Sequence, residues 1–208
     1  MYTSVTKISL TNRYTSNLYR YTFGTGVMTM NSNSTKKIVL NGVMIALVFL
    51  GTYLTRIPTP LPGGYFNLGD AVIMVAAITL GRKSGLIAGA IGSCLADIAF
   101  GGFMFAPITL IVKGLEGYLV GVLAASGQSN TKASGTMKAV AVIVGAAVMV
   151  FGYFFAEAFI LSLFDKSFGL AAAITELPAN LIQGGLSAVV GYALALALIK
   201  MNVQKYAY

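Results

Sequence analysis

The acidic residues of this chain are few, and four polar positions near its C-terminal end could form a binding site. Glu176, Asn180 and Gln183 follow one another at i, i+4 and i+7. On a helix this spacing places one carboxylate and two amides on the same face. Glu157, in the preceding apolar run, can meet that face from a neighbouring helix. Interhelical hydrogen bonding is the alternative explanation, but two carboxylates without a nearby Lys or Arg favour a polar pocket that opens to the outside. Tyr65, Tyr153 and Phe154 are candidates for its aromatic walls, with lipid-facing or core packing as the alternative.

A second group of ionisable residues combines both charge signs. Lys113 and Glu116 are spaced i, i+3, so they can pair on one helix face, and Asp97 lies in the preceding apolar run. Ionisable groups in membrane helices are costly, and each is a candidate functional residue. We expect Asp97, Lys113 and Glu116 to form a charge-balanced structural cluster. The alternative is the proton relay of a stand-alone secondary carrier.

Asp70 ends the motif Asn67-Leu68-Gly69-Asp70, which directly follows a Pro- and Gly-rich stretch. Asn67 is a predicted N-cap, and Asp70 would then favour the positive N-terminus of the helix. Contact of Asp70 with a ligand is equally compatible with this position.

The residues that are missing exclude several classes of enzyme. The chain has no His, and Cys94 is its one Cys, which excludes His-based triads, His-ligated metals and multi-thiolate sites. The phosphate-binding loop of nucleotide hydrolases and the Gly-x-Ser-x-Gly elbow are also missing. We therefore expect no enzymatic activity, metal or cofactor.

The elements that must position these residues are apolar. The 208 residues are 57% hydrophobic and only 10% charged, with a mean hydropathy of +0.80. A membrane-spanning helix needs about 20 mostly apolar residues. Six apolar runs predict an all-α membrane protein with six transmembrane helices: 38–57, 68–80, 85–100, 105–125, 139–164 and 170–199. The second and third runs are short, and Gly residues at small-x-x-x-small spacing predict closely packed helices.

The basic excess indicates orientation. The net charge is +8, and the cations alternate with the predicted spans so that one side receives most of them. By the positive-inside rule, that side and both termini are cytoplasmic. Binding of nucleic acid is not expected, because the chain has no polar face on which the cations could cluster. The cations of the cytoplasmic side are Lys36, Lys37, Arg82, Lys83, Lys132, Lys138, Lys200 and Lys205, whereas Arg56 and Lys166 fall on the opposite side.

The chain ends differ from its middle. Residues 1–35 are polar and lack acids, so we expect a disordered cytoplasmic tail. Met30 directly precedes the basic flank of the first span and is a candidate native start. Residues 36–200 would form the transmembrane substrate-binding domain, and residues 201–208 a second cytoplasmic tail.

Four short motifs follow one another along the apolar part of the chain: Asn67-Leu68-Gly69-Asp70, Leu95-Ala96-Asp97, Lys113-Gly114-Leu115-Glu116-Gly117 and Pro178-Ala179-Asn180-Leu181-Ile182-Gln183. With these motifs in this order, the chain resembles the substrate-binding S component of an energy-coupling factor (ECF) vitamin transporter. The resemblance covers residues 36–200.

The resemblance implies a multi-pass protein of the bacterial plasma membrane that captures a vitamin or vitamin precursor from outside. It also implies a complex with a membrane coupling subunit and two cytoplasmic ATPases, with Gly42 and Ala46 as the docking residues on the first span. The family's pocket maps here onto Tyr65, Asn67, Asp70, Glu157, Glu176, Asn180 and Gln183.

The polar groups of the predicted pocket suit a small heteroaromatic ligand with hydroxyl, amino or ring-nitrogen groups. Pyridoxine and hydroxymethylpyrimidine fit best. Riboflavin is the alternative, because its hydroxyl chain and ring edge also bind amides. An anionic vitamin fits less well, since only Lys113 could face it.

Overall fold

Helices dominate the molecule. The computed structural model describes residues 5–7, 18–23, 26–59, 65–125 and 135–201, with side chains from residue 35 onwards. Each predicted apolar run contains one α-helix, and the ends differ by up to nine residues, so the all-α prediction for the membrane domain is confirmed. The helices are α1 (Ser32–Leu54), α2 (Gly69–Leu80), α3 (Arg82–Ala99), α4 (Ala106–Ala125), α5 (Gly135–Phe155) and α6 (Leu170–Lys200).

Four helical segments of the described residues are long and apolar enough to cross a membrane: Thr35–Leu54, Ala106–Ala125, Gly135–Leu163 and Leu170–Lys200. Helix α2 is apolar but has 12 residues, about 18 Å, which is shorter than a hydrocarbon core of about 30 Å. Helix α3 has 18 residues and is less apolar. The number of six full spans therefore stays a prediction.

The N-terminal segment differs from the expected disordered tail wherever it is described. Strands β1 (Val5–Lys7), β2 (Leu18–Phe23) and β3 (Gly26–Asn31) form an antiparallel sheet in the order β1-β2-β3. β-Branched and aromatic residues recur in these ranges, and such residues favour strands. The tail predicted at 201–208 lies outside the described residues except for Met201.

The helices pack so that α2 is enclosed. It contacts α1, α3, α4 and α6, and ten of its twelve residues are buried. Met74 belongs to a core cluster that α4, α5 and α6 complete, whereas Ile73 packs towards α1 and α3. A short helix enclosed on all sides brings its polar N-terminus, with Asp70, into the interior of the bundle.

Glycines allow α3 and α4 to approach closely, as the small-residue spacing predicts. A Cβ added at Gly117 would lie 2.2 Å from the carbonyl oxygen of Gly85, and one at Gly89 would lie 2.4 Å from that of Lys113. This backbone contact fixes the position of α4 along the axis of α3. It therefore also fixes the position of the Lys113 side chain.

Two irregular segments lie at the end of the bundle that contains Asp70. Strands β4 (Ile57–Pro58) and β5 (Tyr65–Phe66) pair between α1 and α2; residues 60–64, within the predicted Pro- and Gly-rich loop, lie outside the described residues. Helix α5 continues as a π-helical turn (Ala156–Ile160) and a 3₁₀ turn (Leu161–Leu163). Irregular turns of this kind are frequent at functional sites.

Candidate functional site

A cavity of about 40 Å³ lies between the helices at this end. Helix α6 forms one wall of the cavity. Strand β5 and Asn67, the residue after it, form a second wall, and the end of α5 forms a third. Seven of the eight predicted ligand-binding residues line the cavity, and the eighth, Asp70, lies behind the lining. The seven are Tyr65, Asn67, Tyr153, Glu157, Glu176, Asn180 and Gln183.

The polar stripe of α6 faces the cavity as its spacing predicts. Glu176 and Gln183 are each 3% exposed, and Asn180, one turn from each, is half-buried. Pro178 lies inside the helix without ending it. The stripe therefore supplies a carboxylate and two amides over about two turns of helix.

Glu157 reaches the cavity from the π-helical turn. It is 3% exposed, and its Oε2 has no hydrogen-bond partner among the described residues. Glu176 lies close enough for the two carboxylates to influence each other electrostatically. A buried carboxylate oxygen without a partner is costly, so this position favours a ligand that donates a hydrogen bond or carries positive charge.

Aromatic and hydroxyl groups close another side of the cavity. The Tyr65 hydroxyl donates a hydrogen bond to Asp97 Oδ1, and Thr109 Oγ1 lies 2.8 Å from the hydroxyl of Tyr153. Burial, together with the negative charge of Asp97, raises the pKa of the Tyr65 phenol, which therefore stays a donor. The guanidinium of Arg56 lies 4.8 Å from the Tyr65 ring centroid and holds β5 against the bundle.

Lys113 pairs with Glu116, as the spacing predicts, and also with Asp70, which the sequence placed at the N-terminus of α2. Its ammonium donates to Asp70 Oδ1 and lies 3.6 Å from Glu116 Oε2, whereas Asp97 bonds to Tyr65. The structural cluster is thus Asp70, Lys113 and Glu116 instead of Asp97, Lys113 and Glu116. Spacing within α4 predicts the second ion pair, but the first crosses from α2 to α4 and depends on packing.

Gln183 connects this charge cluster to the cavity. Its Nε2 donates to Asp70 Oδ2 at 2.8 Å, and its Oε1 accepts from the backbone N–H of Asn67 at 3.0 Å. The side chain of Asn67 caps the start of α2 by accepting from the backbone N–H of Gly69 at 2.8 Å. The N-cap itself is Leu68, one residue later than predicted.

Some lining residues escaped the sequence analysis. Lys113 and Asp97 line the cavity although spacing assigned them to the structural cluster, and the rest are small hydroxyl residues and one aromatic: Thr52, Ser93, Phe105 and Thr109. Ser and Thr are common in membrane helices for packing, so their type and spacing carried no signal.

The lining is electronegative. It includes the carboxylates of Asp97, Glu157 and Glu176 and one ammonium, that of Lys113. Asp70 already pairs with this ammonium from outside the lining. Such an arrangement favours hydrogen-bond donors and positive charge over an anionic ligand.

The predicted docking residues lie on an exposed face of α1. Gly42 and Ala46 are exposed, and a Cβ at Gly42 would meet nothing within 4 Å. Large apolar side chains flank them on the same helix; Val39 is 58% and Val43 47% exposed.

The family model described as "ECF-type riboflavin transporter, S component" matches residues 32–200. An uncharacterised protein of Pyrococcus woesei is 34% identical over 74% of this chain and 95% of its own length. The "Thiamine precursor transporter HmpT" of Lactococcus lactis subsp. cremoris is 27% identical over 81% of this chain and 89% of its own. A solved S component of a bacterial ECF transporter superposes with a TM-score of 0.62 at 20% identity, covering 81% of this chain and 98% of that one.

Proposed function

The chain belongs to the family of ECF-type riboflavin transporter S components, and we propose that its cavity captures a single-ring vitamin precursor. As a member of this family, the chain is a membrane-embedded component of vitamin uptake and not an enzyme. Hydroxymethylpyrimidine and pyridoxine are the best candidates. The observation that carries this proposal is the pair of buried carboxylates, Glu157 and Glu176, beside two amides on one small cavity.

The chemistry of the lining supports this ligand class. The amino group of an aminopyrimidine, or the hydroxyls of a pyridine, can donate to Glu157 and Glu176. The ring nitrogens can accept a hydrogen bond from the side-chain amide of Asn180. Tyr65 and Tyr153 can pack against the ring. Among the relatives, HmpT is described as a thiamine precursor transporter, which agrees with a pyrimidine.

Riboflavin is the second candidate, because the description of the family model names it. The size of the cavity favours the smaller ligands. A volume of about 40 Å³ holds roughly three water-sized spheres, and a three-ring flavin with its hydroxyl chain would require a much larger displacement of β5 or α6 than a single ring.

The exposed face of α1 supports docking to a membrane coupling subunit, which would join the chain to two cytoplasmic ATPases. At Gly42 and Ala46 the helix backbone is open to close approach by a partner helix. The flanking apolar side chains would lie against lipid or the partner.

The distribution of charge supports an orientation with the cavity outside and both termini in the cytoplasm of a bacterium. Lys37, Arg82 and Lys200 lie at the helix ends remote from the cavity, whereas every acidic side chain lies in the half of the molecule that contains the cavity or inside the bundle.

Calorimetric titration of the full chain, purified in detergent, with hydroxymethylpyrimidine, pyridoxine and riboflavin tests the proposal. We expect one of the two single-ring compounds to bind at one site per chain, and Glu176→Gln and Asn180→Ala to weaken binding at least tenfold. Leu181→Ala, next to Asn180 but 56% exposed, is the matched control.

Unchanged binding in both cavity variants would show that the cavity is not the site. Tight binding of riboflavin alone would replace the proposed ligand by the second candidate. Uptake by the chain alone in liposomes, driven by a pH gradient, would instead indicate a stand-alone proton-coupled carrier with Asp97, Lys113 and Glu116 as its relay.

A further inference from the structure

A fourth wall of the ligand cavity, formed by α1 and α3, carries three polar side chains to which the proposed function assigns no ligand contact. Thr52 lies on α1, and Ser93 and Asp97 lie on α3. Ser93 and Asp97 are spaced i, i+4, so they share one face of the helix. The two helices therefore present a carboxylate and two hydroxyls to the same cavity.

Each of these side chains has a buried polar atom without a hydrogen-bond partner. Thr52, Ser93 and Asp97 are each 2% exposed. The atoms without a partner among the described residues are Thr52 Oγ1, Ser93 Oγ and Asp97 Oδ2. A buried polar group without a partner is costly. Because three such atoms meet on one cavity, this wall can offer several hydrogen bonds to a molecule that enters it.

Other hydroxyl side chains of the bundle are satisfied by the backbone. Thr55 and Thr79 each donate to the carbonyl oxygen four residues earlier in the chain, at 2.5 and 2.7 Å. This bond is common for Ser and Thr in helices. Thr52 and Ser93 do not make it, so their hydroxyls remain available to the cavity.

Glycines bring the two hydroxyls to the cavity. A Cβ added at Gly92, the residue before Ser93, would lie 2.8 Å from the carbonyl oxygen of Ile45 on α1, so α3 approaches α1 closely at this height. A Cβ added at Gly69 would overlap the Thr52 hydroxyl. The lack of a side chain at Gly69 therefore leaves room for this hydroxyl beside the start of α2.

The carboxylate of Asp97 is held through one oxygen and leaves the other for a ligand. Tyr65 donates to Oδ1. The Thr109 hydroxyl also lies near the carboxylate, but it pairs with the Tyr153 hydroxyl at 2.8 Å. Oδ2 lacks a partner among the described residues and is the acceptor that this wall can offer.

We propose that Thr52, Ser93 and Asp97 form a subsite that binds a hydroxyl substituent of the ligand. A hydroxyl can donate to Asp97 Oδ2 and accept from Ser93 or Thr52, whereas a methyl group can do neither. The proposal rests on the function proposed above and narrows its substrate class. The ligand carries a hydroxymethyl group for this subsite, in addition to the donors that contact Glu157 and Glu176.

Calorimetric titration of the full chain with hydroxymethylpyrimidine and pyridoxine, each compared with analogues in which methyl replaces a hydroxymethyl group, tests the subsite. We expect the wild type to bind the hydroxymethyl compound about tenfold or more tightly than its methyl analogue. Ser93→Ala and Thr52→Val should each weaken binding of the hydroxymethyl compound about fivefold and leave the methyl analogue unchanged. Asp97→Asn, which keeps an oxygen for Tyr65, should remove most of the preference.

Ser187→Ala is the matched control. Ser187 is 0% exposed and its Oγ has no partner among the described residues, but it lies on α6 outside the cavity lining. This variant should keep the full preference for the hydroxymethyl compound. Thermal unfolding without ligand checks the fold of Ser93→Ala and Thr52→Val, which should be as stable as the control because neither loses a hydrogen bond within the chain.

The outcomes separate the subsite from the function on which it rests. Equal affinity of the wild type for the hydroxymethyl compound and its methyl analogue, or equal losses for both compounds in Ser93→Ala and Thr52→Val, would overturn the subsite; the proposed function stands if Glu176→Gln still weakens binding. If Glu176→Gln binds normally while Ser93→Ala loses the preference, the subsite stands and the carboxylate contact is wrong. Binding of neither single-ring compound would overturn both.

Discussion

Replacing Lys113 by Met tests whether its charge is needed to stabilise the buried acids of α2 and α4. The ammonium is 3% exposed and donates to Asp70, and it lies 3.6 Å from Glu116 Oε2. Two unit charges about 4 Å apart attract by about 4 kcal/mol at an effective dielectric constant of about 20, which sets the scale for the pair of Lys113 with Asp70. Met is similar in length but apolar, so Lys113→Met leaves the buried carboxylate of Asp70 without its cation. Removal of one partner from a buried pair costs about 3–5 kcal/mol, and we expect a loss of this size in the free energy of unfolding.

Titration of the purified chain with SDS from detergent micelles, followed by circular dichroism, measures this loss. Lys166→Met removes an exposed cation and should cost less than about 1 kcal/mol. The double variant Asp70→Asn/Lys113→Met removes both members of the pair and should recover more than half of the stability. A loss in Lys113→Met no larger than in Lys166→Met, or no recovery in the double variant, would refute the assigned pairing.

Three further predictions follow from particular contacts. Gly117→Ala places a Cβ 2.2 Å from a backbone carbonyl oxygen of α3 and should lower the midpoint of thermal unfolding by several degrees. Gly185→Ala, whose Cβ meets nothing within 4 Å, should leave the midpoint unchanged. Equal midpoints in the two variants would contradict the close packing of α3 and α4. Gly42→Leu/Ala46→Leu should abolish uptake by cells while the purified chain still binds its ligand, and normal uptake would show that this face is not the docking surface. Glu157→Gln replaces one carboxyl oxygen by an amide NH2 group, which can only donate, and should weaken ligand binding about tenfold or more in calorimetry. Unchanged affinity would exclude ligand contact at this position.

The sequence predicts well what depends on local pattern. Runs of apolar residues locate all six helices, because the need to bury or shield the backbone in lipid leaves a strong compositional signal. The i, i+4, i+7 spacing on α6 correctly places Glu176, Asn180 and Gln183 on the cavity, since a regular helix fixes their relative directions.

What the sequence does not predict depends on packing between helices. The pairing of Lys113 with Asp70 requires α2 to lie against α4, and no spacing along the chain encodes that distance. The π-helical turn that carries Glu157 is a departure from regular helix geometry. The N-terminal strands were missed because a polar composition was interpreted as disorder, although β-branched and aromatic residues recur there.

Mass spectrometry of the small molecule that accompanies the full chain through purification from cells tests the central claim most directly. The proposed function predicts a single-ring heteroaromatic vitamin or precursor, at close to one molecule per chain, that is missing from the variant Glu176→Ala/Asn180→Ala. Retention of the same molecule by wild type and variant alike, or stoichiometric riboflavin in the wild type, would contradict it.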